Sequence, residues 1–188
     1  MMPAAPEPET VVEEVATSRT LTIYLVRHAY AAHADGTRWP DDSVRPLTED
    51  GIRKFSEAAR GLRRLVPEVE LVLSSGYARA WGTAELLHEF TGWPAPRDCP
   101  PLEANRPASG ALDVLRGQKE RSIALVGHEP YLSTLASLLC AGGEHVLRLR
   151  LKKGAVAVVG VDGEVAPGSG TLLWSVPPKI LRALDGGS

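Results

Sequence analysis

This chain of 188 residues is short of several things, and each shortage excludes something. It has two cysteines, Cys99 and Cys140, too few for a disulfide scaffold and without metal-ligand spacing. Cys140 closes an apolar helical pattern and reads as a buried thiol. Cys99 lies in a proline-rich loop and reads as incidental. Neither sign of charge is in excess: 21 Lys and Arg against 23 Asp and Glu leave a net charge of -2. Nothing electrostatic therefore argues for nucleic acid or an anionic membrane as partner, and any basic site must be a local cluster. No apolar run approaches the ~20 residues that span a bilayer. No basic segment precedes an apolar core at the N-terminus, so a secretory signal is not expected and a cytoplasmic location is. What remains is a 44% hydrophobic chain of ordinary single-domain size, long enough to bury a core.

The organisation follows from periodicity. Residues 1–18, MMPAAPEPETVVEEVATS, are acidic and rich in Pro and Ala. They are expected to be a disordered or loosely packed extension, with a short helix from Glu9 to Ala16 as the other reading. Residues 19–188 are expected to form one domain. Leu21 to Val26 predicts a buried strand, and PLTEDG predicts a helix capped by Thr48 and stopped by Pro67. Further strands are expected at 69–75, near 97–102, and at 121–127. Helices are expected from Tyr77 to about Phe90, from Gly110 to Leu115, and from Tyr131 to Cys140. In the tail, Leu147, Leu149 and Leu151 alternate with charged residues, which predicts a half-exposed strand. AVAVVGV and TLLWSV predict two more, around an Asp162-Gly163 turn. Strand–helix units first and antiparallel pieces last predict a three-layer α/β/α sandwich with a mixed, mostly parallel sheet.

In such sheets ligands bind outside the carboxyl ends of the parallel strands. Three of the predicted strands exit into the same chemistry. The first ends in Arg27-His28. The second ends in Ser74-Ser75-Gly76, with Arg79 one turn into the following helix. A later one ends in Gly127-His128-Glu129. If these strands are neighbours, two arginines and two imidazoles meet at one edge, beside the free N–H groups of helix starts. Guanidinium forks suit phosphate oxygens, and an imidazole can attack phosphorus or move protons. His33, His88 and His145 have no such context and read as surface or packing residues. Trp39 and Trp93 read as packing tryptophans, and Arg60, Arg63 and Arg64 as a solvated helix face.

LVRHA, RPLTEDG, LVLSSGYARAWGTAELL and VGHEP together resemble, in order and spacing, the histidine phosphatase superfamily (branch 1). The match is best to its short branch, phosphohistidine phosphatases of the SixA type with a phosphoglycerate mutase-like fold. The resemblance covers about residues 20–160. It implies that His28 is the nucleophile, transiently phosphorylated, and that Arg27 and Arg79 clamp the phosphate. It implies that His128 binds phosphoryl oxygens and that Arg45 of RPLT borders the site. Glu103 is the nearest candidate for a proton donor by order, with Asp35, Asp41 and Glu129 as alternatives. No metal or other cofactor is implied.

The chain departs from its relatives at Ala29, where the family has glycine, and alanine there should avoid positive φ. Gly76 and Gly82 are further departures. The expected function is a metal-independent phosphatase acting on phosphohistidine or another phosphorylated protein residue. A small-molecule phosphomonoesterase and a catalytically weak phosphate-binding regulatory module are the alternatives. A mutase needs a closing lid, and no long insertion could supply one.

Overall fold

The computed structural model describes residues 20–186; the N-terminal extension lies outside them. Strand β1 (Thr20–Arg27) is the spine of the sheet. It pairs in parallel with β4 (Ser122–Gly127) on one side and antiparallel with β5 (Val156–Asp162) on the other. Buried on both faces, β1 and β4 have the near-continuous apolar character of central strands. β2 (Leu71–Ser74) lies beside β4, the short β3 (Arg97–Asp98) forms one edge, and β6 (Gly170–Val176) forms the other. The order is β3-β2-β4-β1-β5-β6; β5 alone runs antiparallel to the rest, and β6, antiparallel to β5, runs in the same direction as β1. This is the expected mixed, mostly parallel sheet.

Helices cover both faces. On one, Ile23, Leu25, Ile123 and Leu125 pack against α3 (Ser109–Arg116) and α4 (Tyr131–Ala141), through residues such as Leu112, Leu132 and Leu135. On the other, Val26, Val126 and Val158 meet α1 (Glu49–Leu65), α2 (Ala78–Thr91) and α5 (Pro178–Asp185), through Phe55, Leu62, Leu87 and Leu181. Each fully buried leucine contributes about 1.5–3 kcal/mol, so the two apolar layers fix the sheet and hence its carboxyl edge. α1 starts as its sequence predicts: the Thr48 hydroxyl accepts from the Gly51 N–H, with Glu49 and Asp50 in the first turn. Gly51 and Gly61 are required by close approach. A Cβ at Gly51 would strike the Tyr30 carbonyl, and one at Gly61 would strike that of Leu181.

Four expectations are corrected. Residues 147–152 form no strand. The backbone of Leu151 instead bonds to side chains: its N–H donates to Glu129 Oε1 and its carbonyl accepts from Arg27. Helix α5 was not expected from PPKILRALD; at eight residues it is too short to be stable alone, and contact with α1 decides its state. Because α5 docks there, Arg60 and Arg64 do not belong to a purely solvated face: both bond to Asp185. Lastly, Cys99 is buried, its thiol pushed up to about 11 by desolvation, whereas Cys140 is only half-buried. Trp93 packs in the core, as expected, and donates to the Val66 carbonyl.

Candidate active site

The register of β1 against β4 sets Arg27 opposite Gly127, so His28 and His128 leave adjacent strands at the same level. The His28 N–H donates to the Gly127 carbonyl at 2.9 Å, which extends the ladder by one bond beyond the strands. On the far side of β4, the Ser75 N–H donates to the Val126 carbonyl and brings the start of α2 to the same edge. The ring centroids of His28 and His128 lie 5.2 Å apart. Arg27, His28, Arg45, Arg79 and His128 all line one cavity of about 340 Å³, with Glu129 and Lys153 on its wall. The strand exits singled out in the sequence therefore converge.

The two imidazoles are held differently. His28 is 5% exposed, and its Nδ1 lies 2.7 Å from the Ala29 carbonyl. A carbonyl only accepts, so Nδ1 carries the proton and Nε2 presents a bare lone pair. Burial pushes the His28 pKa down to about 3; the Ala29 carbonyl opposes that, and the charges of His128, Arg79 and Arg27 add to it. His128 is also pushed down to about 3, first by burial and then by Arg79. Its Nε2 is 3.0 Å from the Ser75 hydroxyl, while its Nδ1 is buried without a partner among the described residues. Tyr77 stacks obliquely on His128, with centroids 4.9 Å apart. Both histidines are thus neutral near pH 7.

The arginines are anchored by part of each fork. Arg27 donates through one terminal nitrogen to the Leu151 carbonyl at 2.7 Å. Burial lowers its pKa, and the nearby Glu129 carboxylate opposes this. Arg79, nearly buried in α2, donates to the Asp42 carbonyl and pairs with the Asp42 carboxylate at 2.8 Å. The same carboxylate takes Arg45 Nε at 2.7 Å, and Arg45 also donates to the Ala32 carbonyl. Asp42 is held below the usual carboxylate range, chiefly by its bond from Arg45, with Arg79 adding. The Nε atoms of Arg27 and Arg79 are buried and have no partner among the described residues. Such donors, in a pocket with two neutral imidazoles, suit an oxyanion.

Thr83 couples the parts. Its hydroxyl donates to the Arg79 carbonyl and accepts from the Ala29 N–H, tying α2 to the end of β1. Ala29 itself needs no positive φ, since among the described residues only glycines have one.

Glu103 is not brought into the cavity. It follows the 3-10 turn Pro100–Leu102, and its carboxylate lies 3.5 Å from Arg106; its neighbour Ala104 lines the site instead. Asp35 and Asp41 are exposed and accept from nearby backbone N–H groups. Glu129 does reach the wall, but both its oxygens are engaged, by the Leu151 N–H and by Ser133. His33, expected on the surface or in packing, is exposed at the cavity rim. The residues that sequence reasoning missed are Asp42 and Lys153. The acidic pair before RPLT was the available signal for Asp42, and Lys-Lys-Gly was the signal for Lys153. Among the described residues, no cluster of three or more His, Cys, Asp or Glu is placed to hold a metal ion.

The fold agrees with known proteins. Residues 23–103 match the family described as histidine phosphatase superfamily (branch 1). An uncharacterized protein of Mycobacterium tuberculosis (strain H37Rv), Rv1276c, is 34% identical over 165 residues, covering 82% of this chain and 100% of the relative. Phosphohistidine phosphatase SixA of Escherichia coli (strain K12) is 27% identical over 166 residues, covering 86% of this chain and 97% of that protein. A solved structure of the protein histidine phosphatase SixA complexed with tungstate superposes with a TM-score of 0.74 at 27% identity, covering 86% of this chain and 99% of that one. The chain belongs to the histidine phosphatase superfamily, branch 1, and is a phosphatase of the SixA type.

Proposed function

We propose that the chain removes phosphoryl groups from phosphohistidine in proteins, through a phosphohistidine intermediate on His28. The observation that carries this reading is the pinned imidazole. With Nδ1–H bonded to the Ala29 carbonyl and a pKa near 3, Nε2 of His28 is an unprotonated nucleophile at neutral pH. The relative whose name is phosphohistidine phosphatase supports the substrate, and the tungstate-bound structure supports an oxyanion pocket.

In the first step the Nε2 lone pair forms an N–P bond to His28 as the bond from phosphorus to the substrate imidazole breaks. The departing imidazole keeps that electron pair and takes a proton from solvent. In the second step water attacks phosphorus, the His28 N–P bond breaks, and phosphate leaves. Charge spreads over the outer oxygens of the transferred group, so fixed donors do most of the work. Arg27 and Arg79 hold those oxygens with their unpartnered Nε–H groups and remaining fork protons. If the Ser75 hydroxyl donates to Nε2 of His128, its Nδ1–H supplies a further donor. Arg45 borders the same space. With its second ring nitrogen protonated from solvent, the substrate imidazole departs as a neutral ring whose conjugate acid has a pKa of about 6.5, so no strong general acid is required. That suits a site in which Glu103 faces Arg106 and Glu129 is already bonded.

The test is phosphate release from a phosphohistidine-bearing protein and from phosphoramidate. Both should be hydrolysed, with an acid-labile phosphoenzyme that His28→Ala does not form. Lack of release from both, or one phosphate ester turned over far faster than either, would overturn the reading.

A further inference from the structure

A second cavity of about 290 Å³ opens on the other side of the β1 exit. Ala29 and Tyr30, next in sequence to His28, line it, and Lys153 lines both cavities. Its floor is apolar: Phe55 is buried there, and the Pro178 ring closes one wall. Tyr30 and Ile180, about half exposed, stand at its rim.

The charge of this cavity is one-sided. Lys54, Lys152, Lys153, Lys179 and Arg182 line it, and among the described residues no carboxylate does, in a chain of net charge -2. Lys54 is paired outward with Asp50, and Arg182 lies 4.0 Å from Glu57. Lys152 and Lys179 are exposed and form no ion pair among the described residues. Arg182 Nε is buried without a partner among the described residues. Mutual repulsion among these groups is unfavourable until an anion enters. An apolar floor under a cationic rim fits an acidic group carried beside an aliphatic one.

We propose that this cavity docks an acidic segment of the phosphorylated protein, next to the phosphoryl-bearing residue. The proposal rests on the function proposed above and names the partner's chemistry. Lys153 bridges the two sites, so an extended chain, advancing about 3.3 Å per residue, can place a phosphoryl group in one cavity and a neighbouring carboxylate in the other. The rim cations are mainly lysines, hydrated point charges on flexible stems. They suit attraction of a peptide more than the fixed geometry of a small ligand.

Two phosphohistidine peptides test this, one flanked by Glu and Leu and the other by Gln and Leu. The full chain should show a kcat/KM about tenfold higher for the Glu peptide, falling with salt. The double variant Lys152→Glu/Lys179→Glu should lose that preference while hydrolysing phosphoramidate as before. Equal rates on both peptides, or a preference that survives in the variant, would overturn the proposal. Binding of the unphosphorylated Glu–Leu peptide is read separately, from chemical-shift changes at Tyr30 and Ile180. This arm stands even if phosphohistidine proves not to be hydrolysed. Shifts absent, equal with the Gln–Leu peptide, or produced more strongly by succinate, a small dicarboxylate, would also count against it.

Discussion

Two cavities flank the end of β1, and they use cations in opposite ways. In the first, Arg27 and Arg79 are sunk into the wall, with part of each fork bonded to Leu151 or Asp42, and the imidazoles are buried. In the second, Lys152 and Lys179 stand exposed, and Lys54 and Lys153 half-buried, around an apolar floor. A group that is desolvated and fixed before the ligand arrives can stabilise charge developing in a reaction. One that remains hydrated steers and holds, with little effect on the chemical step. Burial, more than charge, thus separates the two sites, and each change below tests that division.

The largest effect falls on His28. His28→Ala should reduce turnover by about ten-thousand-fold or more, read as phosphate release, while far-ultraviolet circular dichroism stays unchanged. Substantial residual activity would mean that the buried cavity only binds. Arg79→Ala should cost about 100- to 1,000-fold in kcat/KM, as expected for a fixed donor at developing charge. A loss as small as that of a rim lysine would erase the distinction between the cavities.

Next comes the pH dependence of stability. Both histidines have folded pKa values of about 3, against an unfolded value of about 6.5. Between those limits the unfolded chain binds more protons than the folded one. Stability from these groups is therefore complete above about pH 6.5 and is lost as pH falls towards about 3. Each histidine can contribute a slope of up to about 1.4 kcal/mol per pH unit. Urea unfolding at pH 7 and pH 5 should show the loss, and His28→Ala/His128→Ala should lessen it.

Asp42→Asn is expected to lower kcat/KM about tenfold, because a neutral amide anchors Arg79 and Arg45 less firmly than a carboxylate does. A full rescue of kcat with KM still raised would assign Asp42 to ground-state binding alone. Its carboxylate is half exposed, so its role lies in the orientation of buried guanidinium groups and not in fold stability.

How far this division could be read beforehand depends on where each signal lies. Arg27, His28, Arg79 and His128 sit at or just beyond strand ends, and strand ends are fixed by apolar runs visible in the sequence. The sheet and most helices were legible for the same reason. Leu151 was misread because alternation alone cannot reveal that its N–H and carbonyl bond to Glu129 and Arg27 instead of a strand. Helix α5 was missed because its state depends on α1, through Leu181 and Asp185. Glu103 was chosen by order along the chain, but the 3-10 turn before it directs the carboxylate to Arg106. Asp42 and the second cavity needed three dimensions, since their partners lie on separate elements.

The smallest effect concerns Ala29, which stands between the cavities. Its N–H is held by Thr83, its carbonyl accepts from His28, and it also lines the second cavity. No described residue other than glycine has positive φ, so alanine stores no strain here. Ala29→Gly gives the unfolded chain more freedom and removes a buried methyl, so it should destabilise the fold by about 1 kcal/mol. The His28 ring would keep its carbonyl partner, and turnover of phosphoramidate should change by less than about twofold. A large gain in turnover with glycine would show that the methyl restrains the nucleophile. The wall between the two cavities would then belong to the catalytic machinery, and burial alone would no longer separate chemistry from docking.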